Sequence, residues 1–195
     1  MDAANKILEL VAKAKSNSTS KKKKWCALIT LDVKNAFNTA TWENIITCLK
    51  VKKFSKYLIN FISSYLQNRS INAYHMTFKM SAGVPQGSVL GPHLWNIFYD
   101  DVLRIKIPGV TLIGFADDLS LVITADNLCE LERLANRVLK EVDKWMGENK
   151  LELALQKTEA IILHGPRKRE GIKIRIRDSI IKPAKELKYL FRHYF

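Results

Sequence analysis

The sequence predicts an α+β fold, and three patterns carry that prediction. Apolar residues recur at spacings of three or four over residues 126–147, as on the buried face of a helix. Residues 172–177 alternate isoleucine with lysine or arginine, as in a half-exposed strand. Two apolar runs, VTLIGF and LSLVIT, flank Asp117 and Asp118 like the strands of a hairpin. Because helices and strands mix without a regular βαβ rhythm, α+β is favoured over α/β.

The other elements follow from the same periodicities and from glycine, proline and polar punctuation. A polar loop is expected over residues 16–24, and a glycine- and proline-rich turn over residues 82–92 leads into a further helix. Helices are expected at 3–14, 42–50 and 55–67, strands at 25–33, 151–155 and 158–163, and short extended pieces at 70–80.

Basic residues exceed acidic residues by a wide margin. The 195-residue chain has a formal net charge of +13, and the excess lies in residues 1–56 and 165–188, whereas residues 57–164 are close to neutral. A near-neutral centre with basic ends suits a polyanion such as nucleic acid, although a solubilising surface is the simpler alternative. The charge pattern therefore favours a nucleic-acid partner before any motif is considered.

The cysteines and the apolar runs indicate the compartment in which the protein is expected. Three cysteines, odd in number and without CxxC spacing, argue against a disulfide framework and against a structural zinc site. No apolar run approaches the length of a membrane span, and the N-terminus lacks the apolar core of a signal peptide. We therefore expect an intracellular protein in a reducing compartment, with no membrane partner.

The adjacent acids Asp117 and Asp118 pose the main chemical question. Carboxylates between two buried strands repel each other and lose hydration unless something cancels their charge. A polar turn is one interpretation, and a metal site is the other. Asp32, at the end of the run WCALITLD, supplies a third carboxylate, and three oxygen ligands suit Mg²⁺ better than zinc. Asp100 and Asp101 form a similar pair, but they end a helical pattern, where acids are most simply solvated.

Four segments occur in the order LDVKNAFNTATW, GVPQGSVLGPHLWNIFYDD, GFADDLSLV and KLELALQKTEAIIL. Together they resemble the palm motifs of reverse transcriptases, most closely those of insect-type non-LTR retrotransposons. The resemblance implies a polymerase palm, in which an antiparallel sheet carries the catalytic acids and helices pack on one face. It also implies an RNA-directed DNA polymerase that joins dNTPs to a primer 3′-hydroxyl on an RNA template with two Mg²⁺ ions, or Mn²⁺. The nucleus is the compartment that the family suggests.

The resemblance assigns catalytic roles to individual residues. Asp32, Asp117 and Asp118 would bind the metal ions, with the backbone carbonyl of Val33 beside Asp32. Lys157, in the segment QKTE, would lie near the leaving pyrophosphate as a further catalytic residue. A solvated lysine at the end of a strand is the alternative interpretation of Lys157.

Substrate and nucleic-acid contacts are predicted as well. By the resemblance, Phe37 would be the steric gate that excludes a 2′-hydroxyl, and Gln86 and Gly87 would line the nucleotide pocket. A plain core position is the alternative for Phe37. The alternation over residues 172–177 predicts a basic stripe that contacts phosphates, formed by Lys173, Arg175 and Arg177.

The domain boundaries follow from the extent of the resemblance. Residues 1–24 would form a helix and basic loop that remain from the fingers connection, residues 25–190 the palm, and residues 191–195 a divergent or truncated tail. By the resemblance, we expect fingers and thumb to be largely missing, and we expect a truncated copy whose isolated chain extends primers very little. A catalytically silent nucleic-acid-binding remnant is the alternative function. A palm from another branch, such as an intron-encoded maturase, fits the GVPQGSVLGP segment less well.

Overall fold

The computed structural model describes residues 3–16, 24–166, 172–184 and 186. Six helices and eight strands lie in this part of the chain. In chain order they are α1 (Ala3–Ser16), β1 (Trp25–Leu31), α2 (Ala36–Thr39), α3 (Trp42–Val51), α4 (Lys56–Leu66), β2 (Ser70–Ala73), β3 (Met76–Lys79), α5 (Leu90–Tyr99), β4 (Val110–Phe115), β5 (Asp118–Ala125), α6 (Leu128–Glu148), β6 (Glu159–His164), β7 (Ile174–Ile176) and β8 (Ser179–Ile181). None of the described helices is both long enough and apolar enough to cross a membrane.

A four-stranded sheet in the order β4-β5-β1-β6 forms the centre of the molecule. All of its neighbouring strands are antiparallel, and β1 pairs with β5 from Trp25 opposite Ala125 to Leu31 opposite Leu119. Continuing this register by one residue places Asp32 opposite Asp118. The strand that ends before Asp32 therefore pairs directly with the hairpin that carries Asp117 and Asp118.

Helices cover both faces of this sheet. Alternate residues of β1, such as Ala27 and Ile29, face the main core, which they share with α3, α5 and α6. The intervening residues face a second, smaller core with Ile7, Val11 and Ala14 of α1. The α+β class and the antiparallel sheet are as predicted, and most helices pack on one face. The apolar stripe of α1 adds a layer on the other face, because it matches the second apolar face of β1.

Two predicted strands differ from the observed elements. Residues 151–155 form a single bridge, between Val33 and Leu153, before the chain enters a 3-10 turn at Leu155–Lys157. Burial alternates over residues 151–153 only, since Ala154 is buried as well as Leu153, and the turn ends the extended conformation after one pair. The strand predicted over 172–177 is shortened to β7, because Arg177 has a left-handed φ of 50° and begins the turn to β8.

Candidate functional site

Three carboxylates lie at one end of the central sheet. Asp32 follows β1 directly, Asp117 is in the two-residue turn between β4 and β5, and Asp118 opens β5. The register places Asp32 opposite Asp118, and strand alternation directs both side chains to the face that α1 covers further along the strands. The sheet therefore gathers the three predicted carboxylates at one end.

The turn that carries Asp117 has an unusual backbone conformation. Phe115 pairs with Asp118 to close the turn, and Ala116, its first central residue, has a φ of 54°. Residues with a Cβ rarely adopt this left-handed region, which favours glycine. The indole Nε1 of Trp95, buried in α5, donates a hydrogen bond of 2.8 Å to the carbonyl oxygen of Ala116. A helix distant in sequence thus fixes the backbone beside Asp117.

The carboxylates influence one another electrostatically. The pKa of Asp118 is raised above its ordinary value, first by burial and then by the charges of Asp117 and Asp32, and Lys157 offsets only part of this effect. The pKa of the Tyr99 hydroxyl is also raised, mainly by burial and further by the same three carboxylates. A group of acids coupled in this way is stabilised by a nearby cation.

Lys157 places one cation beside Asp32. The residue ends the 3-10 turn that precedes β6, and its Nζ lies 2.8 Å from Oδ2 of Asp32. The hydrogen bond to Asp32 and the charge of that carboxylate raise the pKa of Lys157. Because 63% of the lysine side chain is exposed, the pair can open without disturbing the core. Lys157 thus contacts Asp32, while its predicted place near the leaving pyrophosphate and its catalytic role stay predictions.

The backbone of Val33 also faces the carboxylates. An antiparallel bridge joins Val33 to Leu153, and its two hydrogen bonds are made by the residues that flank them. In a bridge of this type the N–H and C=O of the central residue point away from the partner. Since Leu153 lies on the β6 side of β1, the Val33 carbonyl points to the β5 side, and its place beside a metal ion stays a prediction.

This donor set suits a hard divalent cation. Carboxylates and a main-chain carbonyl are the oxygen ligands that Mg²⁺ prefers, and the repulsion at Asp118 is a feature that a cation would relieve. Within the described ranges, no three His, Cys, Asp or Glu side chains are already grouped around one point as metal ligands. One oxygen of Asp32 is bound by Lys157. The sharing of one ion by Asp32 and Asp117 therefore stays a prediction.

Phe37 lies in the short helix α2 that follows β1, half-buried against the aromatic core. Its ring centroid is 5.3 Å from that of Trp95, and its carbonyl accepts a 2.7 Å hydrogen bond from the amide of Val84. This bond joins α2 to the turn that carries Gln86 and Gly87, which are both exposed. Gln86 lines a cleft of about 250 Å³ beside that turn. The predicted gate and pocket residues therefore lie on adjoining segments, and their roles stay predictions.

The predicted basic stripe is narrower in the structure. The isoleucines of β7 pack into the main core with α6, which leaves Lys173 and Arg175 exposed. Arg177 leaves the strand and turns to α6, where its guanidinium donates hydrogen bonds of 2.7–3.1 Å to both carboxylate oxygens of Asp143. Because this ion pair neutralises Arg177, a phosphate-binding stripe would consist of Lys173 and Arg175.

Comparison with known proteins decides the family. The family described as reverse transcriptase (RNA-dependent DNA polymerase) matches residues 3–191. The chain belongs to the reverse transcriptase family. The probable RNA-directed DNA polymerase from transposon BS of Drosophila melanogaster is 31% identical over 148 residues, which cover 70% of this chain and 16% of that protein. The RNA-directed DNA polymerase from mobile element jockey of the same species is 27% identical over 126 residues, which cover 59% and 14%.

Solved structures agree with the fold of this reverse transcriptase chain. A telomerase from Candida albicans in complex with a fragment of telomeric RNA aligns with a TM-score of 0.64 and 12% identity, over 100% of this chain and 35% of that one. A truncated apo telomerase from Candida tropicalis aligns with a TM-score of 0.61 and 15% identity, over 85% and 35%. At these identities the likeness shows the fold alone. The chain spans less than a fifth of the length of the two insect relatives.

The second acid pair of this reverse transcriptase chain has a structural role. Asp100 and Asp101 end α5, and each accepts a 2.8 Å hydrogen bond from Nζ of Lys52 on the α3 side. Arg104 lies 3.1 Å from Asp100 as well. The prediction that these acids are simply solvated is therefore wrong, because Lys52 and Arg104 neutralise them where a helix C-terminus disfavours negative charge.

Two aromatic residues lie behind the turn of Ala116 and Asp117 between β4 and β5, which we call the acid turn. The sequence patterns did not single them out. Trp95 and Tyr99 lie one helical turn apart on α5, with their rings stacked at a centroid distance of 4.8 Å. Among the described residues, the buried Tyr99 hydroxyl has no hydrogen-bond partner. Their spacing of four was visible in LWNIFY, but the same spacing describes the core face of any helix.

Proposed function

We propose that this chain is the reverse transcriptase domain of a non-LTR retrotransposon, which extends a DNA primer with dNTPs by copying an RNA template. The observation that carries the proposal is the position of Asp32 opposite Asp118, with Asp117 in the adjoining turn. The family supplies the polymerase chemistry, and the insect relatives supply the element class and the RNA template.

Nucleotidyl transfer joins the primer 3′-oxygen to the α-phosphorus of the nucleotide and releases pyrophosphate. Asp32, Asp117 and Asp118, with the carbonyl of Val33, would hold two Mg²⁺ ions, or Mn²⁺. When bound, the ions favour loss of the hydroxyl proton and stabilise the departing oxygen. Lys157 neutralises Asp32 beforehand, and its long exposed side chain can turn from that carboxylate toward the charge of the pyrophosphate.

Selection of the substrate would fall to α2 and to the neighbouring turn. Phe37 presents a ring backed by Trp95, so it can exclude a 2′-hydroxyl by shape without reading the base. Gly87 has a φ of 79° and open space around the position of a Cβ, which allows its backbone to approach a nucleotide closely. Gln86 lines the adjacent cleft together with Arg69.

A catalytically silent nucleic-acid-binding domain is the second candidate. It is favoured by the ion pair between Lys157 and Asp32, which neutralises one carboxylate without a metal ion. The exposed Lys173 and Arg175 would then carry the function. Such a domain would bind RNA or DNA in a salt-dependent manner, and this binding would not depend on Asp117.

Primer extension on an RNA template, with Mg²⁺ and separately with Mn²⁺, tests the proposal. Asp117→Asn removes one carboxylate with little change of size. We expect its extension rate to fall at least about a hundredfold, since loss of a partner outside the metal ligands already costs roughly ten- to a hundredfold. Asp100→Asn is the matched control, because Asp100 is paired with Lys52 and Arg104 at the end of α5. This control should keep the wild-type rate.

Even slow extension is informative, because the comparison is between variants of one chain. Equal rates for the wild-type protein and Asp117→Asn would contradict the catalytic role of the acid turn. RNA binding without template-dependent product would favour the silent binding domain.

A further inference from the structure

One buried residue contacts both the turn that carries Asp117 and the proposed sugar gate Phe37. Trp95 donates its indole N–H to the carbonyl oxygen of Ala116 at 2.8 Å, directly before Asp117. Its ring centroid lies 5.3 Å from that of Phe37, the proposed sugar gate. Trp95 is 0% exposed, so water cannot take the place of either contact.

The hydrogen bond to Ala116 acts on a strained part of the backbone. Ala116 has a φ of 54°, where its Cβ crowds the following carbonyl. Such a conformation persists when surrounding contacts over-determine it. The indole N–H of Trp95 provides such a contact, and this buried donor would itself be left unsatisfied if the turn moved. The hydrogen bond from Trp95 to Ala116 thus links the acid turn to α5.

The other aromatic residues of this cluster do not make the same link. Tyr99 stacks on Trp95, but among the described residues its hydroxyl has no hydrogen-bond partner. Trp145 packs on Phe98 and Tyr99, at centroid distances of 5.7 Å and 5.9 Å. Trp145 is therefore an internal comparison, since it is a tryptophan of the same cluster that contacts neighbours of Trp95 on α5.

We propose that Trp95 is a positioning residue that holds the acid turn and the sugar gate in a fixed relative position. The proposal rests on the proposed function, because the roles of Asp117 and Phe37 belong to that function. A shift of the turn moves the carboxylates relative to the sugar pocket, and a misplacement of about 1 Å can cost about a hundredfold in rate. Loss of the indole N–H should therefore lower kcat and weaken discrimination between dNTPs and rNTPs together.

The test removes the N–H donor with two replacements. One replaces Trp95 by 3-benzothienylalanine, which keeps the ring shape but has sulfur in place of N–H, and the other is Trp95→Phe. Trp145→Phe is the matched control. We expect faster hydrogen exchange at residues 115–118 in metal-free protein. We also expect a kcat lower by roughly ten- to a hundredfold and a dNTP preference that is reduced severalfold, with neither change in the control.

Failure of this proposal is distinguishable from failure of the proposed function. If the wild-type protein shows no Asp117-dependent extension, the proposed function fails. Hydrogen exchange alone then tests whether Trp95 holds the turn in place. Unchanged exchange at residues 115–118 in the isostere then overturns the role of Trp95, and faster exchange supports it. If the wild-type protein is active, a Trp95 variant with the same sugar discrimination as Trp145→Phe overturns the positioning role, whatever its thermal stability.

Discussion

The ammonium group of Lys157 and a divalent cation would compete for the same carboxylate. Nζ of Lys157 lies 2.8 Å from Oδ2 of Asp32, in a pair whose lysine is mostly exposed. Exposed ion pairs are weak, so a metal ion should displace the lysine at a small cost. We therefore expect Lys157→Ala to tighten Mn²⁺ binding by a few-fold, measured by isothermal titration calorimetry.

Lys34→Ala is the matched control for this prediction. Lys34 forms an exposed ion pair with Glu152 at 2.6 Å and lies two residues after Asp32. The control removes the same charge from the neighbourhood but breaks no bond to Asp32. Weaker Mn²⁺ binding by Lys157→Ala than by Lys34→Ala would show that Lys157 helps to hold the ion instead of opposing it.

At the scale of residues, the sequence indicates which side chains belong to the site better than it indicates which residues those side chains contact. The three carboxylates could be found because acids next to buried apolar runs are costly unless something binds them. The bond from Lys157 to Asp32 joins residues 125 positions apart, and the bond from Trp95 to Ala116 joins a helix to a turn. Neither contact follows from local periodicity, because both depend on how the loops return to the sheet.

At the scale of elements, α5 begins in close contact with the glycine-rich turn. A Cβ at Gly91 would collide with the carbonyl oxygen of Pro85 and approach the Ser88 hydroxyl to 3.0 Å. We expect Gly91→Ala to lower the free energy of unfolding by about 1–3 kcal/mol and to displace Gln86. Gly147→Ala, at an open position in α6, should raise it by about 0.5–1 kcal/mol. Denaturant unfolding curves measure both changes in the free energy of unfolding. If both substitutions changed it in the same direction, the close approach of Gly91 to Pro85 would be contradicted.

The strand β7 allows a second prediction at this scale. Each phosphate contact contributes about 0.7–0.9 to the slope of log K against log salt concentration. Neutralising Lys173 and Arg175 together should therefore lower the slope by roughly 1.4–1.8, measured by fluorescence anisotropy with a labelled RNA. Arg177→Gln should change the slope little, because Asp143 already binds that guanidinium. An equally large decrease with Arg177→Gln would contradict the two-residue stripe.

The elements themselves were predicted unequally well. The helix α6 and the strands around the acid turn were predicted because their periodicities run over many residues. Residues 151–153 alternate in burial as a strand does, yet the segment makes one bridge before a 3-10 turn. Burial alternation reports which side chains face the core, whereas a strand also needs a partner with matching backbone groups.

At the scale of the whole molecule, the central sheet separates the side of the main core from a side that carries the acids. The helices α3, α5 and α6 share the main core, while α1 covers the other face near Cys26 and Leu28. Asp32 and Asp118 emerge from that second face, beyond α1. The α+β class could be predicted from periodicity, but this layering could not, because it depends on the strand register.

The coupled carboxylates should reduce the stability of the metal-free fold. The pKa of Asp118 is raised, so the folded chain holds this proton more tightly than the unfolded chain does. The stability contributed by the proton is present at low pH and is lost as the pH rises through the raised pKa. Asp100 shows the opposite behaviour, because its hydrogen bond to Lys52 lowers its pKa and makes its charged form stabilising above the ordinary Asp pKa.

Asp118→Asn should therefore have opposite effects on the whole fold with and without metal. In chelator at pH 7, we expect a Tm higher than that of the wild-type protein by roughly 2–4 °C, the shift that about 1 kcal/mol produces in a domain of this size. The difference should vanish at about pH 3 and below, which is far enough under the ordinary Asp pKa of about 3.9 for Asp118 to be protonated in both states. Saturating Mg²⁺ should raise the wild-type Tm, because a ligand that binds only the folded state stabilises it, and should raise the variant Tm much less. Asp100→Asn, the control, should lower the Tm at pH 7 and keep the full response to Mg²⁺. Equal Mg²⁺ responses for the wild-type protein and Asp118→Asn would show that this carboxylate does not contribute to metal binding.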